Sequence, residues 1–223
     1  MKTSLSYDSN VMKRLIADVV HKIKNGLGGI SGYATLLERE FSHDDPRIRF
    51  IKKINDGVIG VNEVSIKLMS LVRIRELQKD KIKIEYLFRE ILKNISDNDE
   101  NIINKLYFDN NFQGKYIEIV SDQDLLGELF KNSIQFIQLI DGEIIKIQVN
   151  PLKDKNLSLQ IYFKKNFDTY NNFSDYINNL MHESRYLHER LSFAIMQNMI
   201  NLLHGNYSTL SENDGVSILK FEI

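Results

Sequence analysis

Residues 21 to 33 read HKIKNGLGGISGY, a histidine within an apolar helical pattern followed by glycines at positions 26, 28, 29 and 32. Apolar side chains recur every three or four residues on both sides of this stretch, which predicts one long helix with one apolar stripe: Met12, Ile16, Val19, Ile23, Leu27, Ile30, Ala34 and Leu37. Val19 and Ile23 are predicted to lie on the buried seam. Because His21 sits about 200° from each of them around the helix, it is expected to face water.

A second helix of similar length is predicted after the segment SHDDPR at 42–47, where Asp45 can cap the helix and Pro46 can occupy its first turn. Its stripe is close to a strict heptad: Ile51, Ile54, Val58, Val61, Ser65, Leu68 and Val72. A lone antiparallel pair of helices, each about 45 Å long, leaves half of its apolar surface in water. The sequence therefore predicts a homodimer whose two hairpins form a four-helix bundle.

Composition excludes several classes of function. The chain has 223 residues, a net charge of −1 with acids and bases interspersed, and no cysteine. The charge balance gives no reason to expect binding to nucleic acid or to an anionic membrane. The lack of cysteine excludes disulfides and thiolate chemistry. Because the start MKTSLSYDSN lacks the apolar core of a signal peptide and no long apolar run follows, we expect a cytoplasmic protein.

After residue 80 the sequence pattern changes to short strands and helices. Strands are predicted at the start of KIKIEYLFREILKNI, in KYIEIVSD, EIIKIQVN and NLSLQIYFKK, and in the closing segments NYSTLSE and GVSILKFEI. Helices are predicted in QDLLGELFKNSIQFIQLI and LSFAIMQNMINLLHG. This order favours a two-layer α/β sandwich. The predicted fold class is α+β, with a helical hairpin at 1–76 and a sandwich domain at 77–223.

The segment VVHKIKNGLGGISGYATLLERE resembles the phosphoacceptor motif of bacterial sensor histidine kinases. The resemblance implies that His21 is the phosphorylated residue and that Asn25 is the polar residue that positions a water or the phosphoryl group. Gly26 stands at the family's proline position, and the four glycines each weaken a helix by about 1 kcal/mol relative to alanine. Lys22 replaces an acidic residue that assists transfer from ATP, and lysine cannot accept a proton from imidazole. Two roles stay open for Lys22: a contact with the phosphoryl group or a contact with an acidic partner surface.

The second half resembles the ATP-binding domain of the same kinases, a fold that they share with gyrase and Hsp90. DQDLLGELFKNSIQF matches the family's N-box, and the resemblance places Glu128 and Asn132 near phosphate and Mg²⁺. The last 27 residues, from Gln197, match the family's final helix, a His-Gly turn and the closing strands. These two N-box residues are interpreted as remnants of a nucleotide site.

The residues that would hold the nucleotide are replaced. Lys165 stands where the family has an adenine-reading aspartate, so a donor would face a donor. Leu191 and Phe193 replace two glycines of the phosphate-binding box, and no glycine occurs between Glu143 and His204. The prediction is that the chain binds no ATP and no other cofactor, with Mg²⁺ only on a receiver partner. We expect nearby aromatic residues to pack into the vacated cleft rather than form a docking patch: Phe163, Phe167, Tyr170, Phe173 and Tyr176.

Three functions remain open. The first is a ChpT-type histidine phosphotransferase in a two-component phosphorelay, which passes a phosphoryl group between receiver-domain aspartates through His21. The second is a pseudokinase that binds and inhibits or scaffolds a response regulator or a kinase, and the third is a divergent active histidine kinase. No metal site is predicted, because His182 and His188 are six residues apart, whereas a helical metal pair is three or four apart.

Overall fold

The computed structural model describes the chain over residues 9–72, 76–95, 102–108, 117–152, 157–167, 169–180, 182–183, 186–212 and 215–223. The chain separates into two units, Met1–Arg75 and Glu76–Ile223. The fold class is α+β, as predicted: a helical hairpin followed by a mixed sheet with helices.

The first unit is an antiparallel pair of helices, α1 (Ser9–Glu40) and α2 (Ile48–Val72). Helix α1 runs unbroken through all four glycines, and a Cβ atom added at any of them would meet nothing within 4 Å. Before α2, the carboxylate of Asp45 accepts a hydrogen bond from the backbone N–H of Arg47 at 2.8 Å and two more from its guanidinium. The predicted turn with an aspartate at the start of α2 is therefore present.

The seam between the two helices differs from the predicted one. Val20 is 1% exposed and packs inside the hairpin, whereas Val19 and Ile23 are 49% and 37% exposed. The prediction that these two residues are buried is thus wrong for the single chain. Because Val19 and Val20 point about 100° apart, one neighbouring helix covers only one of these directions. The other residues buried in the hairpin are Ala34, Ile48, Ile51, Ser65 and Val72.

Within its described residues, the second unit contains four α-helices, seven strands and a 3₁₀ turn at Ile103–Lys105. The helices are α3 (Ile84–Ile95), α4 (Gln123–Leu139), α5 (Phe173–Leu180) and α6 (Leu187–Leu202). The strands are β1 (Asp80–Lys83), β2 (Leu106–Phe108), β3 (Glu118–Ser121), β4 (Glu143–Pro151), β5 (Leu157–Lys164), β6 (Asn206–Ser211) and β7 (Val216–Glu222). Strands β1 and β3 pair with each other, and the main sheet has the order β2-β4-β5-β7-β6.

The main sheet is antiparallel except where β2 runs parallel to β4. Sequence reasoning missed β2, because three residues are too few to show an alternating pattern. Alternate residues of the central strands are buried beneath the helices, among them Ile147, Val149, Leu159, Ile161 and Leu219. The predicted Asp-Gly and His-Gly turns are both present, with positive φ values at Asp141 (56°) and His204 (57°).

Candidate functional site

His21 lies on the solvent-exposed side of α1, as the sequence predicts. At about 100° per residue, His21, Asn25, Gly28 and Gly32 fall within an arc of about 60°, and all four are exposed. Within the part of the chain that the structure describes, no side chain hydrogen-bonds the imidazole of His21. The imidazole is therefore accessible, and the glycines leave the surface beside it free of side chains.

The cations around His21 are not equivalent. Lys22 is exposed, but it points about 100° away from His21 around the helix. Lys24, three residues after His21, is about 60° away and lies among the i+3 and i+4 neighbours whose Cβ atoms are roughly 5–6 Å apart. Both lysines are exposed. Around the helix, Lys24 is therefore closer in angle to His21 than Lys22 is, although Lys22 is the residue singled out from the sequence.

The N-box residues of the second unit lie on α4, and both are half-buried. The Nδ2 of Asn132 donates a hydrogen bond to the backbone carbonyl of Glu128 at 2.8 Å, and it lies 4.0 Å from the sulfur of Met199 on α6. The amide is therefore engaged inside the unit, in a contact between two helices.

Two residues that the sequence resemblance aligns with glycines belong to the core of the second unit. Leu191 and Phe193 are buried in α6. The ring of Phe193 lies 5.5 Å from that of Phe136 on α4 and 5.5 Å, edge to face, from that of Tyr207 on β6. These centroid distances are typical of aromatic pairs. Phe193 therefore fills the space between α4, α6 and β6.

Lys165 lies beside a cluster of aromatic rings after β5. Its Nζ is 5.8 Å from the ring of Phe167, and it lines a cavity of about 270 Å³ together with Tyr176 and Glu189. Burial, and then the nearby carboxylate of Glu189, raise the pKa of Tyr176, so this phenol stays protonated.

The aromatic rings in this region pack against one another. Phe163 and Phe173 are fully buried and meet edge to face at 4.9 Å, and Phe167 and Tyr170 each lie 5.3 Å from Tyr176. The hydroxyl of Tyr170 also donates to the carboxylate of Glu183. The expectation that these side chains pack, rather than form an exposed patch, is confirmed for Phe163, Phe173 and Tyr176.

The described ranges also bear on metal binding and on membrane spanning. Within those ranges, no three histidine, aspartate or glutamate side chains come together as a metal site. None of the described helices combines the length and apolar character needed to cross a membrane.

Comparisons with known proteins relate the chain to solved structures only. No family model matches it, and no curated protein matches its sequence. It is similar to full-length ShkA in complex with AMPPNP, with a TM-score of 0.67 and 14% identity over 94% of this chain and 45% of that one. It is also similar to the histidine kinase ThkA in complex with the response regulator protein TrrA, with a TM-score of 0.58 and 15% identity over 94% of this chain and 60% of ThkA.

These similarities show the fold. The chain has a helical hairpin followed by an ATPase-like domain, the fold that it shares with these two solved structures. It spans roughly half the length of the two solved proteins.

Proposed function

We propose that this chain is a histidine phosphotransfer protein, which carries a phosphoryl group between receiver-domain aspartates on His21 without using ATP. The observation that carries the proposal is a contrast between the two units. His21 is exposed on an intact helix, whereas Phe193, at a position where the kinase family has glycine, is buried against Phe136.

The proposed reaction needs an unprotonated imidazole nitrogen that a partner can reach. The nitrogen lone pair attacks the phosphorus of an aspartyl phosphate, an N–P bond forms, and the P–O bond to the carboxylate breaks. The carboxylate leaves with the electron pair, and the reverse reaction on a second receiver regenerates the imidazole. Lys22 and Lys24 supply positive charge for the phosphoryl oxygens, and Asn25 supplies an amide one turn from His21.

The residues of the second unit do not fit a nucleotide. Lys165 offers donors where the adenine amino group needs an acceptor. The buried side chains of Leu191 and Phe193 stand where phosphate-binding backbone would need glycine for close approach. Asn132 is turned to the carbonyl of Glu128 and to Met199. These contacts support a function independent of ATP.

A homodimer through the hairpin is part of the proposal. Several large apolar side chains of the single hairpin are 37–50% exposed at four- and seven-residue spacings: Val19, Ile23, Ile30, Leu37, Ile54 and Val61. On α1 this row lies opposite His21 around the helix. A second copy would cover the row and leave His21 accessible.

The proposal is tested by supplying phosphate from receivers. Receiver domains from the same organism are purified, labelled with radioactive acetyl phosphate, freed of the donor and mixed with the protein. We expect alkali-stable, acid-labile label on the wild type and none on His21→Ala. The matched control is His43→Ala, which removes an exposed histidine from the turn between the helices and should keep the label.

Two further measurements separate the alternatives. Calorimetry with Mg²⁺-ATP should show no binding; binding together with label from ATP on His21 would favour a kinase. If every receiver fails to label the wild type, the phosphotransfer proposal fails, and stable receiver binding without label would favour the pseudokinase. Slower loss of phosphate from receivers with Asn25→Ala than with wild type would assign a phosphatase activity to Asn25.

A further inference from the structure

We infer that the cavity beside Lys165 in the second unit binds a small zwitterion, a molecule of the amino-acid or betaine type that carries one ammonium group and one carboxylate. The cavity has a volume of about 270 Å³ and is lined from the end of α4, the segment after β5, α5 and the start of α6. Pockets for drug-sized ligands measure about 300–1,000 Å³, so this cavity suits a smaller molecule. It lies in the other unit from His21 and has no part in the proposed phosphotransfer.

Two side chains of opposite charge line this cavity without pairing with each other. Lys165 follows β5, Glu189 lies in the first turn of α6, and both are half-buried. Within the described part of the chain, neither charged group forms an ion pair or a hydrogen bond. Half-buried charges are stabilised when they gain a partner of opposite sign. A molecule that carries both charges would give a partner to Lys165 and to Glu189 at once.

The walls of the cavity are aromatic, which suits the ammonium group of the ligand. Four rings line it: Phe167, Tyr170, Tyr176 and Tyr186. Tyr176 is the central ring, with the other three centroids 5.3, 5.3 and 6.5 Å away. Groups of rings bind ammonium and quaternary ammonium ions, because the ring faces carry negative charge density. The ammonium of Lys165 already lies 5.8 Å from the ring of Phe167, a distance typical of such contacts.

The hydroxyl of Tyr176 offers a donor for the carboxylate of the ligand. This side chain is 6% exposed and lines the cavity, and its hydroxyl makes no hydrogen bond to a described residue. Buried hydroxyls normally have a partner. Burial, and then the carboxylate of Glu189, raise the pKa of the phenol, so it stays protonated and can donate. A ligand carboxylate would accept hydrogen bonds from this hydroxyl and from the ammonium of Lys165.

Molecules with a single kind of charge fit these groups less well. A second carboxylate, that of Asp141, lines the exposed rim of the cavity. A triphosphate would meet repulsion from Asp141 and Glu189, and a simple cation would meet repulsion from Lys165. A zwitterion has no net charge, and it can turn its ammonium group to the carboxylates and its carboxylate to Lys165.

The test measures the binding of defined compounds to the full chain. Glycine betaine and the soluble L-amino acids are titrated in turn, and NMR follows isotope-labelled tyrosine rings. Choline carries only the cation and acetate only the anion, so both serve as controls. We expect at least one zwitterion to bind with a Kd below about 1 mM, and at least about tenfold more tightly than choline or acetate. Absence of such a zwitterion, or equally tight binding of a compound with one charge, would overturn the inference.

Matched variants locate the bound zwitterion. Lys165→Met should raise its Kd by about tenfold and leave that of choline within about threefold, because only the carboxylate loses a partner. The control Lys164→Met removes the charge of the exposed neighbouring lysine and should change neither Kd. Glu189→Gln should weaken both zwitterion and choline, whereas Glu118→Gln, at an exposed glutamate on β3, should weaken neither.

The outcomes for this cavity are independent of phosphotransfer. Thermal unfolding of each variant checks that the second unit keeps its fold. Equal effects of Lys165→Met and Lys164→Met would place the ligand elsewhere and would overturn the inference. No receiver and no phosphoryl group enter these measurements, so a negative result leaves the phosphotransfer proposal standing, and failure to label His21 leaves the cavity open to the same test.

Discussion

Replacing Phe193 with alanine tests whether this position on α6 is part of the core. The side chain is 2% exposed and contacts the rings of Phe136 and Tyr207. Truncation of a buried phenylalanine costs about 3–5 kcal/mol, a figure that includes the loss of both ring contacts. For a unit of about 150 residues this corresponds to a fall in Tm of about 6–20 °C.

The assay is urea and thermal unfolding followed by circular dichroism on the full chain. The matched control is Tyr207→Phe, which keeps the ring against Phe193 and removes only the hydroxyl that accepts a hydrogen bond from Gln197 at 2.8 Å. Because that bond is exposed, its loss should cost no more than about 1 kcal/mol. A loss below about 1 kcal/mol for Phe193→Ala would refute the reasoning, because it would mean that the side chain does not fill the space between α4 and α6.

Two other predictions concern the hairpin. Hydrogen bonds from the Arg47 side chain, and then from its backbone N–H, lower the pKa of Asp45 from 3.8 to about 2. A carboxyl with a lowered pKa stabilises the fold above its unfolded pKa, so this contribution is lost as pH falls from about 4 to about 2. NMR titration of Arg47→Ala should show the pKa of Asp45 rising toward its ordinary value, and an unchanged pKa would contradict the assignment. In the proposed dimer, Ile54→Glu would bury an unpaired charge, so light scattering should show monomers. The control Ile59→Glu, which lies about 140° from Ile54 around α2, should leave the dimer intact. A monomeric wild type would refute the dimer.

The sequence by itself determined the two long helices, most of the later elements apart from β2, and the exposure of His21. Helical periodicity depends on local spacing, so it predicts both long helices and the side of α1 on which the histidine lies. The Asp-Gly and His-Gly turns were also readable from their glycines. A Cβ atom at Gly142 or Gly205 would lie 2.7 or 2.5 Å from a neighbouring atom, so no larger residue fits without a shift. The prediction that the residues at positions 165, 191 and 193 do not suit a nucleotide also comes from the sequence alone.

Tertiary structure alone decided which of two adjacent apolar directions faces α2. Val19 and Val20 are both valine, and only the docking of α2 buries Val20 and leaves Val19 exposed. It also joined β2 to β4 in parallel and brought Lys165 and Glu189 to the same cavity as Tyr176. These contacts join residues far apart in the chain, so they depend on packing between elements, which a periodic pattern within one element does not specify.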